Sequence, residues 1–170
     1  KGVGAIYIRK GVRVIPRTFG GKQENSIRPG TEALPLIGAF GVAVDEVKVS
    51  QSLEKITALN TMLRQKLTEF DDIIINSPED ASPYILNFSA LGIRSETMLH
   101  HLSTQGVFVS SGSACSKGGK SHVLSALKLS DDLADSAIRV SFSKESTEED
   151  VDALLEALSL GLNTLQRKRK

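Results

Sequence analysis

The chain has 170 residues, 40% of them apolar, with 21 Lys and Arg set against 20 Asp and Glu and one Cys. That apolar share suits a soluble domain able to bury a core and excludes disordered and collagen-like chains. The near balance of charge excludes a global field aimed at nucleic acid or a membrane surface, and a lone thiol excludes an intrachain disulfide framework.

The chain opens on Lys1-Gly2-Val3-Gly4 and runs at once into Ala5 to Arg9, which reads as a strand, so the chain reads as a fragment. A Lys10-Gly11 turn signal and the alternation of Val12-Arg13-Val14-Ile15 predict a hairpin. Two strands alone are marginal, and such a hairpin calls for more sheet to pack on. The polar, glycine-rich stretch from Arg17 to Gly30 predicts a loop. Beyond Gly30-Thr31-Glu32, the apolar positions Leu34, Ile37, Phe40 and Val44 recur at helical spacing, with Pro35 placed where a first turn tolerates it. Leu53, Ile56, Leu59, Leu63 and Leu67 continue that pattern, which predicts a long or bent helical connector from about Thr31 to Glu69.

The pattern then changes. Ile73-Ile74-Ile75 and Ile85-Leu86-Asn87-Phe88 read as strands on either side of a loop marked by Pro78 and Pro83. Ser95 reads as the N-cap of a helix carrying Met98, Leu99 and Leu102, with Gly106 as its stop. Val107-Phe108-Val109 reads as a short strand, Ser110 to Lys120 as a small-residue loop, and His122 to Leu127 as a short helix. Ile138 to Phe142 is the last predicted strand. Thr147 caps a final helix whose first turn holds Glu148, Glu149 and Asp150 and whose apolar face holds Val151, Leu154, Leu155, Leu158 and Leu165. The order of elements after residue 70 predicts an α+β layer, a small sheet with helices on one face. The basic end, Arg167-Lys168-Arg169-Lys170, reads as the solvated tail of that helix. No run is long enough for a membrane span and no charged-then-apolar leader is present, which predicts a cytoplasmic address.

Three segments carry candidate chemistry. The richest is Ser110-Ser111-Gly112-Ser113-Ala114-Cys115-Ser116-Lys117-Gly118-Gly119-Lys120-Ser121-His122. A thiol among serines and glycines, with lysines near it to favour the thiolate, has the profile of a nucleophile rather than of a buried inert cysteine. Cys115 with His122 lacks the remaining ligands of a structural zinc site, and no third group orients His122 as a hydrolase base would require. Second, the glycines, backbone N–H groups and Thr31 hydroxyl before the first helix suit an anion, although the spacing matches neither the P-loop nor the dinucleotide fingerprint. Third, Arg139 is one charge in the apolar strand Ala137 to Phe142. It either snorkels at a strand edge or is aimed at a carboxylate, which its planar fork matches.

These segments, in this order, resemble the cysteine desulfurases, pyridoxal-phosphate enzymes of the class V aminotransferase family, over essentially the whole chain. The opening Lys1-Gly2-Val3-Gly4-Ala5 resembles the strand after the family's cofactor-lysine motif, Ser-x-His-Lys-x-x-Gly-Pro-Lys-Gly. Lys1 matches the last lysine of that motif, which puts the Schiff-base lysine five residues upstream of this chain. Gly20-Gly21-x-Gln23-Glu24 and Arg28-x-Gly30-Thr31-Glu32 resemble the loop whose threonine reaches the cofactor phosphate of the partner subunit. Lys22, Asn25-Ser26 and Ala33 depart from residues common in that loop. Ser110 to Ser116, with Ser121-His122-Val123-Leu124, resembles the loop bearing the persulfide-forming cysteine, here shorter between Cys115 and Ser121 and without the usual proline. Ile138 to Phe142, followed by Thr147 to Asp152, resembles the closing strand and helix, whose arginine grips the substrate carboxylate.

The resemblance implies the C-terminal part of a fold-type-I pyridoxal-phosphate transferase. Its expected organisation is the end of a large cofactor domain at 1–30, a helical connector at 31–69 and a small C-terminal domain at 70–170. It implies a homodimer that frees sulfur from L-cysteine as a persulfide on Cys115, with Arg139 on substrate, Thr31 on cofactor and no metal. The acceptor would be a protein, either an iron–sulfur scaffold or a tRNA-thiolation enzyme, without direct contact to nucleic acid or membrane. This stretch alone, lacking the cofactor lysine, is expected to be inactive. A selenocysteine lyase or another enzyme of the same fold, and a non-catalytic dimerisation domain, are the competing readings.

Overall fold

The computed structural model describes residues 2–47, 49–111 and 122–167. The chain divides into two compact units, Lys1–Val49 and Ser50–Lys170.

In the first unit the expected turn is present: the Val12 N–H donates to the Arg9 carbonyl at 3.1 Å, and Gly11 takes a φ of +89° that a side chain would disfavour. The segments beside it carry no strand pairing, so the predicted hairpin is a turn without a ladder. Beside the turn, Ile6, Tyr7 and Ile15 are exposed. Helix α1, Leu34–Glu46, has proline in its first turn as predicted and buries none of its residues, although it is almost wholly apolar. Helix α2 follows at Val49–Leu67.

The second unit holds a four-stranded antiparallel sheet in the order β1-β2-β4-β3, from β1 (Ile73–Ile75), β2 (Ile85–Ala90), β3 (Ser110–Ser111) and β4 (Ala137–Ser141). Alternation along β2 sends Leu86, Phe88 and Ala90 to one face, where they meet Ile138 and Val140 of β4. Against that core face pack α2 through Leu59, Leu63 and Leu67, α3 (Ser95–Thr104) through Met98 and Leu102, and α6 (Glu148–Thr164) through Val151, Leu154 and Leu158. Helices α3 and α6 approach closely at Gly161, where an added Cβ would meet Met98 Sδ and His101 Cδ2, each at 2.8 Å. Asn60 and Arg64 fasten α2 to the loop after β1. Asn60 Nδ2 donates to the Pro83 carbonyl at 2.9 Å, and the Arg64 guanidinium donates to the carbonyls of Ser77 and Pro78.

Helix ends follow local chemistry. The Thr147 hydroxyl accepts from the Asp150 N–H while the Asp150 carboxylate accepts from the Thr147 N–H, a complete capping box at the start of α6. At the end of α3, Gly106 has φ +79°, its N–H donates to the Ser103 carbonyl, and the Val107 N–H donates to the Leu102 carbonyl. This double closure is the Schellman arrangement. Two expectations are corrected at the ends of α3. Because the Val107 amide is used by the helix, β3 begins only at Ser110, and Phe108 is exposed rather than in a strand. Ser95 is the first helical residue and is buried; the N-cap is Arg94, whose side chain makes no capping bond. Helix α4, His122–Ala126, is as expected. A short helix, α5 (Asp131–Asp135), was not anticipated; its cap is Ser130, which accepts from the Leu133 N–H.

Candidate functional site

The sheet face opposite the core carries polar residues, and the ladder lines them up. Arg139 of β4 lies opposite Asn87 of β2 on one side and opposite Ser110 of β3 on the other. Cross-strand partners share a face with their Cβ atoms about 5 Å apart, so Asn87, Arg139 and Ser110 form one row across three strands. The Arg139 side chain is exposed and makes no hydrogen bond or ion pair among the described residues. A guanidinium held on a sheet, with its planar fork unengaged, has the donor set for a carboxylate.

The β1 side of this row is a connected polar network. Asn76 Nδ2 donates to Asn87 Oδ1 at 2.7 Å and to Ser89 Oγ at 2.8 Å, and Ser89 Oγ donates to the Leu133 carbonyl of α5 at 2.7 Å. Thus α5 covers the outer face over Ser89, which is fully buried, while Asn87 is 9% exposed. Asn76 Oδ1 is buried and has no partner among the described residues. Strand β2 is therefore covered on both faces, apolar on one and hydrogen-bonded on the other. By sequence alone Asn87 reads only as part of a strand. The available signal was the alternation of Asn87 and Ser89 with Leu86 and Phe88, which assigns the polar pair to the non-core face.

Cys115 and its neighbours from Gly112 to Ser121 lie outside the described residues, as does Lys1. Ser111, the last described residue of β3, precedes Cys115 by four positions, a span of at most about 14 Å of extended chain. Connectivity thus tethers the thiol to the strand paired with Arg139.

Thr31 belongs to the first unit and is exposed, its hydroxyl without a partner among the described residues. Gly30 before it has φ +104° and donates its N–H to Gln23 Oε1 at 3.2 Å; Arg28 Nη1 donates to the carbonyls of Gly30 and Thr31. A hydroxyl with no partner among the described residues can donate to an anionic oxygen. Glu24, Asn25 and Ser26 all take left-handed φ, which costs about 1–2 kcal/mol at each such residue and marks this loop as a strained one. Among the described residues no group of His, Cys, Asp and Glu could hold a metal ion, and no helix is long and apolar enough to cross a membrane.

A family model described as aminotransferase class-V matches residues 1–154. The chain belongs to that family. This member is 38% identical over 164 residues to a cysteine desulfurase IscS of Dictyoglomus turgidum, a match covering 93% of this chain and 42% of the relative. A solved NifS-like protein superposes with a TM-score of 0.75 at 34% identity, over 94% of this chain and 42% of the other. A NifS-like protein from Rickettsia africae gives a TM-score of 0.74 at 29% identity, over 91% and 41%. The chain therefore spans less than half the length of the relatives it matches, and the small sheet with its helices is the fold those structures share.

Proposed function

We propose that this chain is the C-terminal part of a pyridoxal-phosphate-dependent cysteine desulfurase, which takes sulfur from L-cysteine, leaves alanine, and carries the sulfur as a persulfide on Cys115. The observation that carries the reading is Arg139, exposed and without an acidic partner among the described residues, on the strand paired with the one that leads to Cys115. Similarity to cysteine desulfurases over 93% of the chain supports it.

In this reading Arg139 holds the substrate carboxylate through two parallel N–H···O bonds, a contact a lysine cannot reproduce. The Thr31 hydroxyl donates to the cofactor phosphate of the partner subunit in a homodimer. When bound, pyridoxal phosphate supplies an electron sink for carbanion chemistry at the substrate. Cys115 as thiolate attacks the substrate sulfur. A sulfur–sulfur bond forms, the carbon–sulfur bond breaks with its electron pair left on carbon, and that carbon takes up a proton to give alanine. Thiol is oxidised to persulfide as the carbon is reduced, so no outside oxidant enters. In the whole protein, residues 1–30 complete a larger cofactor domain, 31–69 connect, and 70–170 form the small domain. The persulfide then passes to an acceptor protein in the cytoplasm, an iron–sulfur scaffold or a tRNA-thiolation enzyme.

The test uses the longer protein with L-cysteine labelled on sulfur. Cys115→Ser is expected to retain cofactor absorbance and to lose sulfur transfer by several orders of magnitude. A variant that still passes label to an acceptor refutes the role. Arg139→Lys is expected chiefly to raise KM; an unchanged KM removes it from substrate binding.

A further inference from the structure

We infer that Asn87 is a second substrate-carboxylate donor, its side-chain amino group held beside Arg139 by Asn76. The inference rests on the reading of Arg139 as the carboxylate site and adds a residue that reading does not require.

Asn87 is nine-tenths buried, and its side chain makes a single hydrogen bond among the described residues, through its oxygen. Its Oδ1 is taken by Asn76 Nδ2 at 2.7 Å from the β1 side, and its Nδ2 meets no acceptor among the described residues. Strand order puts β4 on the opposite flank of β2 from β1, and Arg139 is the residue directly across. An amide whose oxygen is held from the β1 side has its amino group as the free end. Arg139 cannot accept that group's hydrogens, since a guanidinium only donates. Two donors side by side, with no acceptor between them, make a place for an anion. A carboxylate has about four lone-pair sites and a bidentate arginine fills two, so the Asn87 amino group can take a third. Ser110, across Arg139 on β3, lies in the same row.

The amide orientation has a cause within the fold. Asn76 Nδ2 donates to both Asn87 Oδ1 and Ser89 Oγ, and Ser89 is committed to the Leu133 carbonyl of α5. Turning Asn87 around would bring its amino group against the Asn76 amino group, donor against donor. The unexpected helix α5 and the buried serine thereby set the polarity of the site one strand away. In this scheme Asn76 is a positioning residue and Asn87 touches the substrate.

The experiment measures, in the full-length holoenzyme, KM for L-cysteine and the calorimetric affinity of L-alanine beside that of L-alaninamide, which lacks the carboxylate. Asn87→Ala is expected to raise KM about tenfold or more and to weaken L-alanine by a similar factor, with a much smaller change for L-alaninamide. Asn76→Asp keeps the size of the side chain and can only accept, so it turns the Asn87 amino group away from Arg139. It is expected to lower the preference for L-alanine in the same direction. Thermal melting accompanies both, and if Asn87→Ala fails to fold, Asn76→Asp decides. Equal weakening of both ligands, or no change in either, while Arg139→Lys still discriminates against L-alanine, overturns the inference and leaves the Arg139 reading in place. If Arg139→Lys also leaves L-alanine unaffected, the carboxylate site itself is wrong.

Discussion

The two units of the chain handle apolar sequence in opposite ways. In the second, amphipathic helices and an alternating strand close on one another, and Phe88, Met98, Leu102, Ile138 and Leu158 are fully buried. In the first, α1 is richer in apolar residues than any amphipathic helix needs, and it buries none of them. A helix hydrophobic all round is a helix made to be covered on all sides. The contrast teaches that a small sheet layer can complete its own core, whereas α1 and the turn before it leave their apolar side chains uncovered among the described residues.

The strongest way to break this contrast is to separate the units. Residues 50–170 expressed alone are expected to melt cooperatively, and residues 1–49 alone to show no cooperative transition by circular dichroism. A cooperative melt from 1–49 would refute the idea that its apolar faces need outside cover. At the level of one residue, Phe88→Ala is expected to cost about 3–5 kcal/mol in denaturant unfolding. Phe40→Ala in α1, where the ring is 39% exposed, is expected to stay within about 0.5 kcal/mol in the same chain.

Helix capping sharpens the comparison at smaller scale. The Thr147 cap of α6 is reciprocal, and Thr147→Ala is expected to cost about 1 kcal/mol. The N-cap of α1 is Ala33 and makes no side-chain bond, so no equivalent loss is available there. The smallest effect concerns one of the second unit's exposed ion pairs. Arg167 donates to both Asp72 oxygens, Nη1 to Oδ1 at 2.8 Å, and these hydrogen bonds hold the Asp72 carboxyl below its ordinary value. A carboxyl depressed on folding adds stability that is complete above the unfolded value near about 3.9 and is lost as pH falls through the lower folded value. Asp72→Asn should therefore lower the melting temperature slightly at neutral pH, with the difference shrinking as the pH falls below the unfolded value and in high salt.

Much of the fold was legible because the signals were local. The Thr147–Asp150 box and the Gly106 stop sit within single turns, and the alternation of β2 needs only its own six residues. Misreadings arose where local sequence competed with closure. Val107-Phe108-Val109 has strand composition, yet the Val107 amide belongs to the helix before it. Helix α5 is five residues rich in aspartate, too short for a periodicity to show. Arg139 was legible as an odd charge in an apolar strand. The placement of Asn87 beside Arg139 was not, because it depends on register, and register is a property of paired strands.

That register has a cost attached to error. Slipping β4 by one residue against β2 would turn Ile138 outward and press Arg139 onto Phe88, burying a charge with no counter-ion, which costs several kcal/mol. Arg139 would then act as a proofreader during folding: chains that mispair these strands are discouraged by the same guanidinium that a correct pairing leaves at the surface.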